Sequence, residues 1–281
     1  MLIFREMKGL REYVAGQKKK SATIGFVPTM GALHQGHESL FLHSLNENAV
    51  TIGSIFVNPA QFNNKEDLLK YPRTEEEDLE MLRTIGCHAV FLPSVEEIYP
   101  VKPLMTFNFG YLDKIMEGKF RDGHFSGVAL VVSKLFNICQ PDKAYFGQKD
   151  LQQVTIIRQL INELAFPIEL VVCPVAREED GLAMSSRNRR LSQKGRSQAP
   201  FIYETLCLAE KLLKETEVDS VCNTVRNLFD QKPEFTLEYF EIADAETLRP
   251  VKCVKEHNRI ALCVAAWLDG IRLIDNVIII S

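Results

Sequence analysis

Through residues 22–172, short apolar runs alternate with stretches of helical periodicity, and this alternation restricts the fold more than any other feature of the chain. The run ATIGFV at 22–27 leads into a loop holding Pro28, Gly31 and Gly36, then into the amphipathic segment ESLFLHSLNENA at 38–49, then into a second apolar run, TIGSIFV at 51–57. Two strands joined through a helix of this length run parallel, because a parallel pair needs a crossover connection. The pattern repeats as a charged helix at 74–85 before a strand at 89–92, a helix at 125–139 before a strand at 143–146, and a helix at 151–164 before a strand at 168–172. Such a series predicts an α/β fold built on an open parallel sheet with helices on both faces.

The texture changes after Met184. A polar, Arg-rich stretch at 185–195 precedes two helices, at about 198–214 and 218–231, and three β-rich runs at 237–243, 259–267 and 271–280 close the chain. Helices followed by a small antiparallel sheet predict a second, smaller α+β domain. The expected division is 1–183 for a nucleotide- and substrate-binding domain and 184–281 for a C-terminal domain that closes over a site in the cleft.

Composition narrows the function classes. With 281 residues, 46% hydrophobic and 25% charged, the chain is an ordinary globular sequence with enough length for a real core. It holds no run of about 18 apolar residues, so a membrane span is not expected. A net charge of −4 argues against sequence-blind nucleic-acid binding, which needs clustered positive charge. The seven cysteines are an odd number without a C-x-x-C pair, as expected of reduced thiols in an intracellular protein. Charges in the opening MLIFREMKGLREYV stand where a secretory signal needs apolar residues, which predicts a cytoplasmic protein.

Three segments carry chemistry. Met30, Gly31, Ala32, Leu33, His34, Gln35, Gly36 and His37 leave the first strand and enter the first helix, where an open α/β sheet binds its ligand. Glycines let backbone amides approach a phosphate, and a helix N-terminus favours anions. His34 and His37, three residues apart, can face the same phosphate and donate hydrogen bonds to developing charge. Gly147, Gln148, Lys149 and Asp150 again sit between a strand and a helix; lysine meets a phosphate as a point charge, and the aspartate caps the helix or accepts from ribose hydroxyls. In the third, Met184, Ser185, Ser186 and Arg187 offer two hydroxyls and a guanidinium fork suited to the outer phosphates of a nucleotide. Arg189, Arg190 and Arg196 read as solvated neighbours. Asn58 and Gln61 follow the second strand, and Gln153 lies one turn beyond Lys149; their amides orient a hydroxyl or a carboxylate without adding charge.

These residues, in GFVPTMGALHQGHESL, IFVNPAQF, EDLLKYPRTEEEDLE, YFGQKDLQQ and DGLAMSSRN, resemble the signatures of the pantothenate synthetases, or pantoate–β-alanine ligases, collinearly and over nearly the whole chain. The first signature is similar to the HIGH-type motif of a wider adenylate-transferring superfamily with a Rossmann-like fold. The resemblance implies an ATP-dependent ligation in two steps: (R)-pantoate and ATP give pantoyl adenylate and pyrophosphate, and β-alanine then displaces AMP to give pantothenate, on the way to coenzyme A. It implies that 30–37, 147–150, 184–187 and the backbone near Ala176 hold ATP. His34, His37, Lys149, Ser185, Ser186 and Arg187 would neutralise the phosphates, with His37 the proton donor. Gln61 and Gln153, with Asn58, would hold pantoate, and Gln61 would also help place β-alanine. Magnesium, with ligands the sequence does not identify, and a homodimer are implied as well; Tyr71 and Arg121 also fall in family signatures.

The chain departs from the family pattern at Asp122, where proline is frequent, and in the run Glu75-Glu76-Glu77-Asp78, which is often richer in aspartate. Two other readings fit the motifs: a nucleotidyltransferase that keeps the nucleotide on its product, and a nucleotide sensor without turnover. The sensor reading leaves the histidine pair, Lys149 and Arg187 without a chemical task.

Overall fold

The computed structural model describes residues 1–280. The chain divides into two compact units, one of Met1–Gly147 with Gln152–Cys173 and one of Gln148–Leu151 with Pro174–Ser281.

The first unit carries, in order, β1 (Leu2–Phe4), α1 (Met7–Lys19), β2 (Ile24–Thr29), α2 (Gln35–Glu47), β3 (Val50–Ile55), α3 (Lys65–Lys70), α4 (Glu75–Thr84), β4 (Ala89–Phe91), α5 (Val95–Ile98), α6 (Met116–Phe120), α7 (His124–Cys139), β5 (Lys143–Gly147), α8 (Leu151–Glu163) and β6 (Glu169–Cys173). Its strands form one sheet in the order β1-β4-β3-β2-β5-β6, parallel throughout. Side chains alternate across it, because successive Cβ atoms of a strand point to opposite faces. Ile24 and Phe26 of β2, Ala89 and Phe91 of β4, and Ala144 and Phe146 of β5 enter a core with α1, α7 and α8. Val27, Val90 and Tyr145 enter the opposite core, with Phe41 of α2 and Leu82 of α4. Helices therefore cover both faces, and the all-apolar strand runs follow from burial on both sides.

From β2 the chain steps outward to β3 and β4, and β5 then returns to the other flank of β2. This reversal makes the C-terminal ends of β2 and β5 a topological switch point, the usual crevice for ligands in such sheets. β1, a three-residue edge strand, and α1 carry no assignment in the sequence reading; three residues are too few for alternation to register.

The second unit contains α9 (Gln193–Gln198), α10 (Phe201–Leu212), α11 (Val218–Asp230) and an antiparallel sheet of β7 (Phe235–Asp244), β8 (Arg259–Leu268) and β9 (Ile271–Ile280). Its core packs Leu206 of α10 and Val221, Val225 and Phe229 of α11 against Phe240, Leu262 and Val264 of the sheet. The helix expected over about 198–214 is α10, which Pro200 opens as its N-cap because it lacks an N–H, and α9 is an additional short helix that ends before it. Among the described residues, no helix is long and apolar enough to cross a membrane.

Candidate active site

β2 ends at Thr29, and the turn beyond it has a backbone shape that the sequence did not reveal. Gly31 and Ala32 both take positive φ, +82° and +50°. The turn is braced from three directions. Thr29 Oγ1 donates to Ser54 O of β3 at 2.7 Å and accepts from Gly31 N at 3.2 Å. The amides of Ala32 and Leu33 donate to the two carboxylate oxygens of Asp78, each at 2.8 Å. Thr74 Oγ1 donates to Asp78 as well, at 3.1 Å. The acidic run Glu75–Asp78 is thus the first turn of α4, where negative charge suits the helix dipole, and its last member turns inward with 2% of its surface exposed. A Cβ on residue 31 would stand 2.9 Å from Asp78 Oδ2, so glycine is needed there for space as well as for φ.

This brace supports a prediction. Asp78→Ala leaves two buried backbone donors without acceptors, each costing about 1–3 kcal/mol. The variant should lose about 3 kcal/mol of stability in urea unfolding, with Asp78→Asn intermediate because one acceptor oxygen remains. Wild-type stability in the alanine variant would show the turn to be held by something else.

The braced turn delivers His34 as the N-cap of α2. Its Nδ1 accepts from Gly36 N at 3.1 Å, which leaves the ring proton on Nε2. His37 follows in the first helical turn, its ring centroid 4.1 Å from that of His34. The spacing of three residues therefore brings the two imidazoles together at the positive end of a helix.

The second cluster grows from the end of the neighbouring strand β3. Asn58, 1% exposed, has every hydrogen-bonding valence taken by protein groups. Its Nδ2 donates to Gly127 O at 3.0 Å and to Gln61 Oε1 at 3.1 Å. Its Oδ1 accepts from Ala60 N at 3.2 Å and from the Tyr99 hydroxyl at 2.9 Å. Burial pushes the Tyr99 phenol up to about 12, which keeps it protonated as the donor at neutral pH. Gln61, 7% exposed, is thereby fixed with its amide nitrogen 2.9 Å from Met30 Sδ of the histidine turn. The His124 ring, at the start of α7, is 2.8 Å from Gln61 O. Gly127, one turn along α7, lies so near that a Cβ there would sit 2.6 Å from Gln61 N and closer still to the Ala60 carbonyl. Among other signature residues of this unit, Gln153 is half-buried in the first turn of α8, Tyr71 is buried edge-on to Phe62, and Arg121 lies 3.7 Å from Glu117. Asp122 is exposed in the bend before α7.

In the second unit, Gln148, Lys149 and Asp150 form one 3-10 turn, Lys149 half-buried and Asp150 exposed. Ser185 caps a further 3-10 turn, Ser186–Arg190, accepting from Arg187 N at 3.3 Å. Met184 N donates to Ala176 O at 2.9 Å, and Asn188 Nδ2 to Ala183 O at 3.0 Å, so the loop of serines and arginine is pinned along its length. Arg189 and Arg190 are exposed, and Arg196 pairs with Asp180 at 2.5 Å.

Asp78, Tyr99, His124 and Gly127 escaped the sequence reading. Each acts on residues between 40 and 70 positions away, and only Asp78 carried a hint, in the acidic run.

Residues 2–278 match the family model for pantoate-beta-alanine ligase. The chain belongs to this family. A pantothenate synthetase of Cytophaga hutchinsonii is 50% identical, with all of both chains covered. The crystal structure of the pantothenate synthetase of Thermus thermophilus superposes with a TM-score of 0.92 at 39% identity, covering 99% of each chain. The pantoate-beta-alanine ligase of Francisella tularensis, solved with β-γ ATP and β-alanine, superposes at 0.80 with 36% identity, over 99% of this chain and 97% of that one. A parallel six-strand sheet with a small antiparallel sheet is thus an architecture shared with pantoate–β-alanine ligases.

Proposed function

We propose that this chain condenses (R)-pantoate with β-alanine at the expense of ATP, giving pantothenate, AMP and pyrophosphate through an enzyme-bound pantoyl adenylate. The observation that carries the reading is the close imidazole pair, His34 and His37, at the N-terminus of α2 in a chain that matches the ligase family from end to end. The ATP and β-alanine held by the Francisella relative support the choice of substrates.

In the first step a pantoate carboxylate oxygen attacks the α-phosphorus, and the bond to pyrophosphate breaks. Charge grows on the phosphate oxygens, and the protein's task is to place the reactants and stabilise that charge. His37 donates to the α-phosphate, with His34 beside it; Lys149, Ser185, Ser186 and Arg187 take the outer phosphates. The run from Met30 to His37, the turn from Gly147 to Asp150, Met184 and the backbone at Ala176 complete the nucleotide's surroundings, at the strand ends in a Rossmann-like manner. Gln61 and Gln153 hold pantoate, and Asn58 acts through the Gln61 amide that it orients. In the second step the β-alanine amine attacks the acyl carbon, AMP departs, and the nitrogen gives up its proton.

Among the described residues no three His, Cys, Asp or Glu side chains gather as a metal would need, and both oxygens of Asp78 are taken by backbone amides. The residues therefore do not form a magnesium cage, and we derive no step through the metal; an ion arriving with ATP is carried by the phosphates, as magnesium commonly is. A homodimer and a cytoplasmic location complete the proposal, on the strength of the family resemblance.

Two measurements test it. AMP should accumulate from ATP and D-pantoate only when β-alanine is present, with pantothenate as the product. Pyrophosphate without AMP would instead indicate a nucleotidyltransferase, and no turnover a sensor. In the second, Gln61→Ala should raise the KM for pantoate by about 10²-fold, as expected when a buried polar partner is removed, and shift that for ATP far less. Equal shifts would place Gln61 elsewhere in the site.

A further inference from the structure

Asn276, 3% exposed in β9, holds a turn that lies far from it in sequence. Its two amide protons go to consecutive carbonyls, Gln148 O at 3.0 Å and Lys149 O at 2.9 Å. Its Oδ1 accepts from Gln148 Nε2 at 3.1 Å. One asparagine side chain therefore clamps the two peptide groups on either side of Lys149. Gln148–Leu151 accordingly belongs with the second unit, although Gly147 and Gln152 on either side belong with the first.

The preceding residue does the same for a second loop. Asp275 receives both terminal nitrogens of Arg177, at 2.6 and 3.0 Å, and Arg177 also donates to Gly181 O at 3.0 Å and to Asn276 O at 3.2 Å. The guanidinium lies 3.8 Å from the centre of the Tyr203 ring. Arg177 and Ala183 bridge as short antiparallel partners directly before Met184, so this ion pair fixes the base of the Ser185–Arg187 loop. Two adjacent residues of one strand thus anchor two cation-bearing loops that lie well apart in sequence.

The structure assigns to Asn276 the positioning of the Lys149 turn, and to Asp275 the matching role for the serine–arginine loop, so that β9 sets the geometry of the cations around the nucleotide phosphates. The assignment rests on the reading of Lys149 as a phosphate-contacting group. Asn276 is a positioning residue that acts through Lys149. Displacement of a reacting group by about 1 Å can cost on the order of 10²-fold in rate, and the clamp is what restrains the turn against such a displacement.

A double-variant cycle tests this with the full-length protein. Pantoate-dependent ATP–pyrophosphate exchange is measured for wild type, Asn276→Ala, Lys149→Ala and the double variant, with thermal unfolding as the fold control. The expected result is a drop of about 10- to 100-fold for Asn276→Ala with an unchanged KM for pantoate, and a double variant no slower than Lys149→Ala alone. A general structural role would multiply the two effects and move the pantoate KM as well, and that outcome overturns the assignment. So does a wild-type rate in Asn276→Ala. Should the alanine variant fail to fold, Asn276→Asp keeps the shape and the acceptor for Gln148 while removing both donated bonds, and the same cycle is read with it. Exchange absent from wild type overturns the ligase reading itself, which separates that failure from a failure of the clamp.

Discussion

His37→Ala is expected to fold as the wild type does and to form pantoyl adenylate about 10²- to 10³-fold more slowly. The expectation follows from where the ring stands. His37 lies in the first turn of α2, half-buried, with its ring 4.1 Å from that of His34. The helix itself is held elsewhere: Ser44 Oγ shares a hydrogen bond with Thr51 Oγ1 of β3 at 2.8 Å, and Asn48 Nδ2, just past its end, donates to Tyr145 OH of β5 at 2.7 Å. Removing the imidazole therefore deletes the proposed donor to the reacting phosphate without loosening the scaffold. Lys149 and Arg187 remain, so a residual rate is expected rather than none. Pantoate-dependent ATP–pyrophosphate exchange reads the chemical step, and urea unfolding reads the fold. A folded variant that exchanges at the wild-type rate would remove His37 from the reacting centre.

Gly127→Ala should be the most damaging single-methyl change in the first unit. The added carbon would stand 2.6 Å from Gln61 N and nearer still to the Ala60 carbonyl, and both are backbone groups that no side-chain rotation can move aside. Either α7 or the 58–61 turn has to shift. That shift breaks the bond from Asn58 Nδ2 to Gly127 O and the contact of the His124 ring with Gln61 O. Overpacking of this kind costs about 1–3 kcal/mol, and a buried donor losing its acceptor adds about as much again. We expect a stability loss of about 3 kcal/mol or more in urea, together with a KM for pantoate raised about 10²-fold, because Gln61 moves with the turn. Unchanged pantoate saturation in a folded variant would separate Gln61 from that substrate.

The candidate site was legible in sequence to different depths. His34 and His37 were readable because they are neighbours on one helix turn, where a spacing of three residues fixes their proximity. Asn58 and Gln61 were readable as polar residues beyond a strand end, but not the division of labour between them: whether an amide contacts a ligand or another amide depends on what packs around it. Here Tyr99, Gly127 and Ala60, with the Gln61 amide oxygen itself, consume all that Asn58 offers. The acidic run at 75–78 read only as the start of a charged helix, and only the position of the histidine turn turned Asp78 into its brace.

The sequence by itself determined the architecture and the class of chemistry. Alternation of apolar runs and amphipathic helices dictates a parallel sheet covered on both faces, since strands buried on both sides and joined through helices have no other arrangement. Local spacing likewise placed the histidine turn at the end of β2. The tertiary structure alone decided which residues hold that chemistry in place. Asp78 meets the amides of residues 32 and 33, His124 meets the carbonyl of residue 61, and Asn276 meets the carbonyls of residues 148 and 149. Each is a single polar group satisfying buried backbone across a long loop. A lone buried polar residue has no periodicity, so nothing in the one-dimensional pattern distinguishes it from any other until the fold brings its partner within hydrogen-bonding distance.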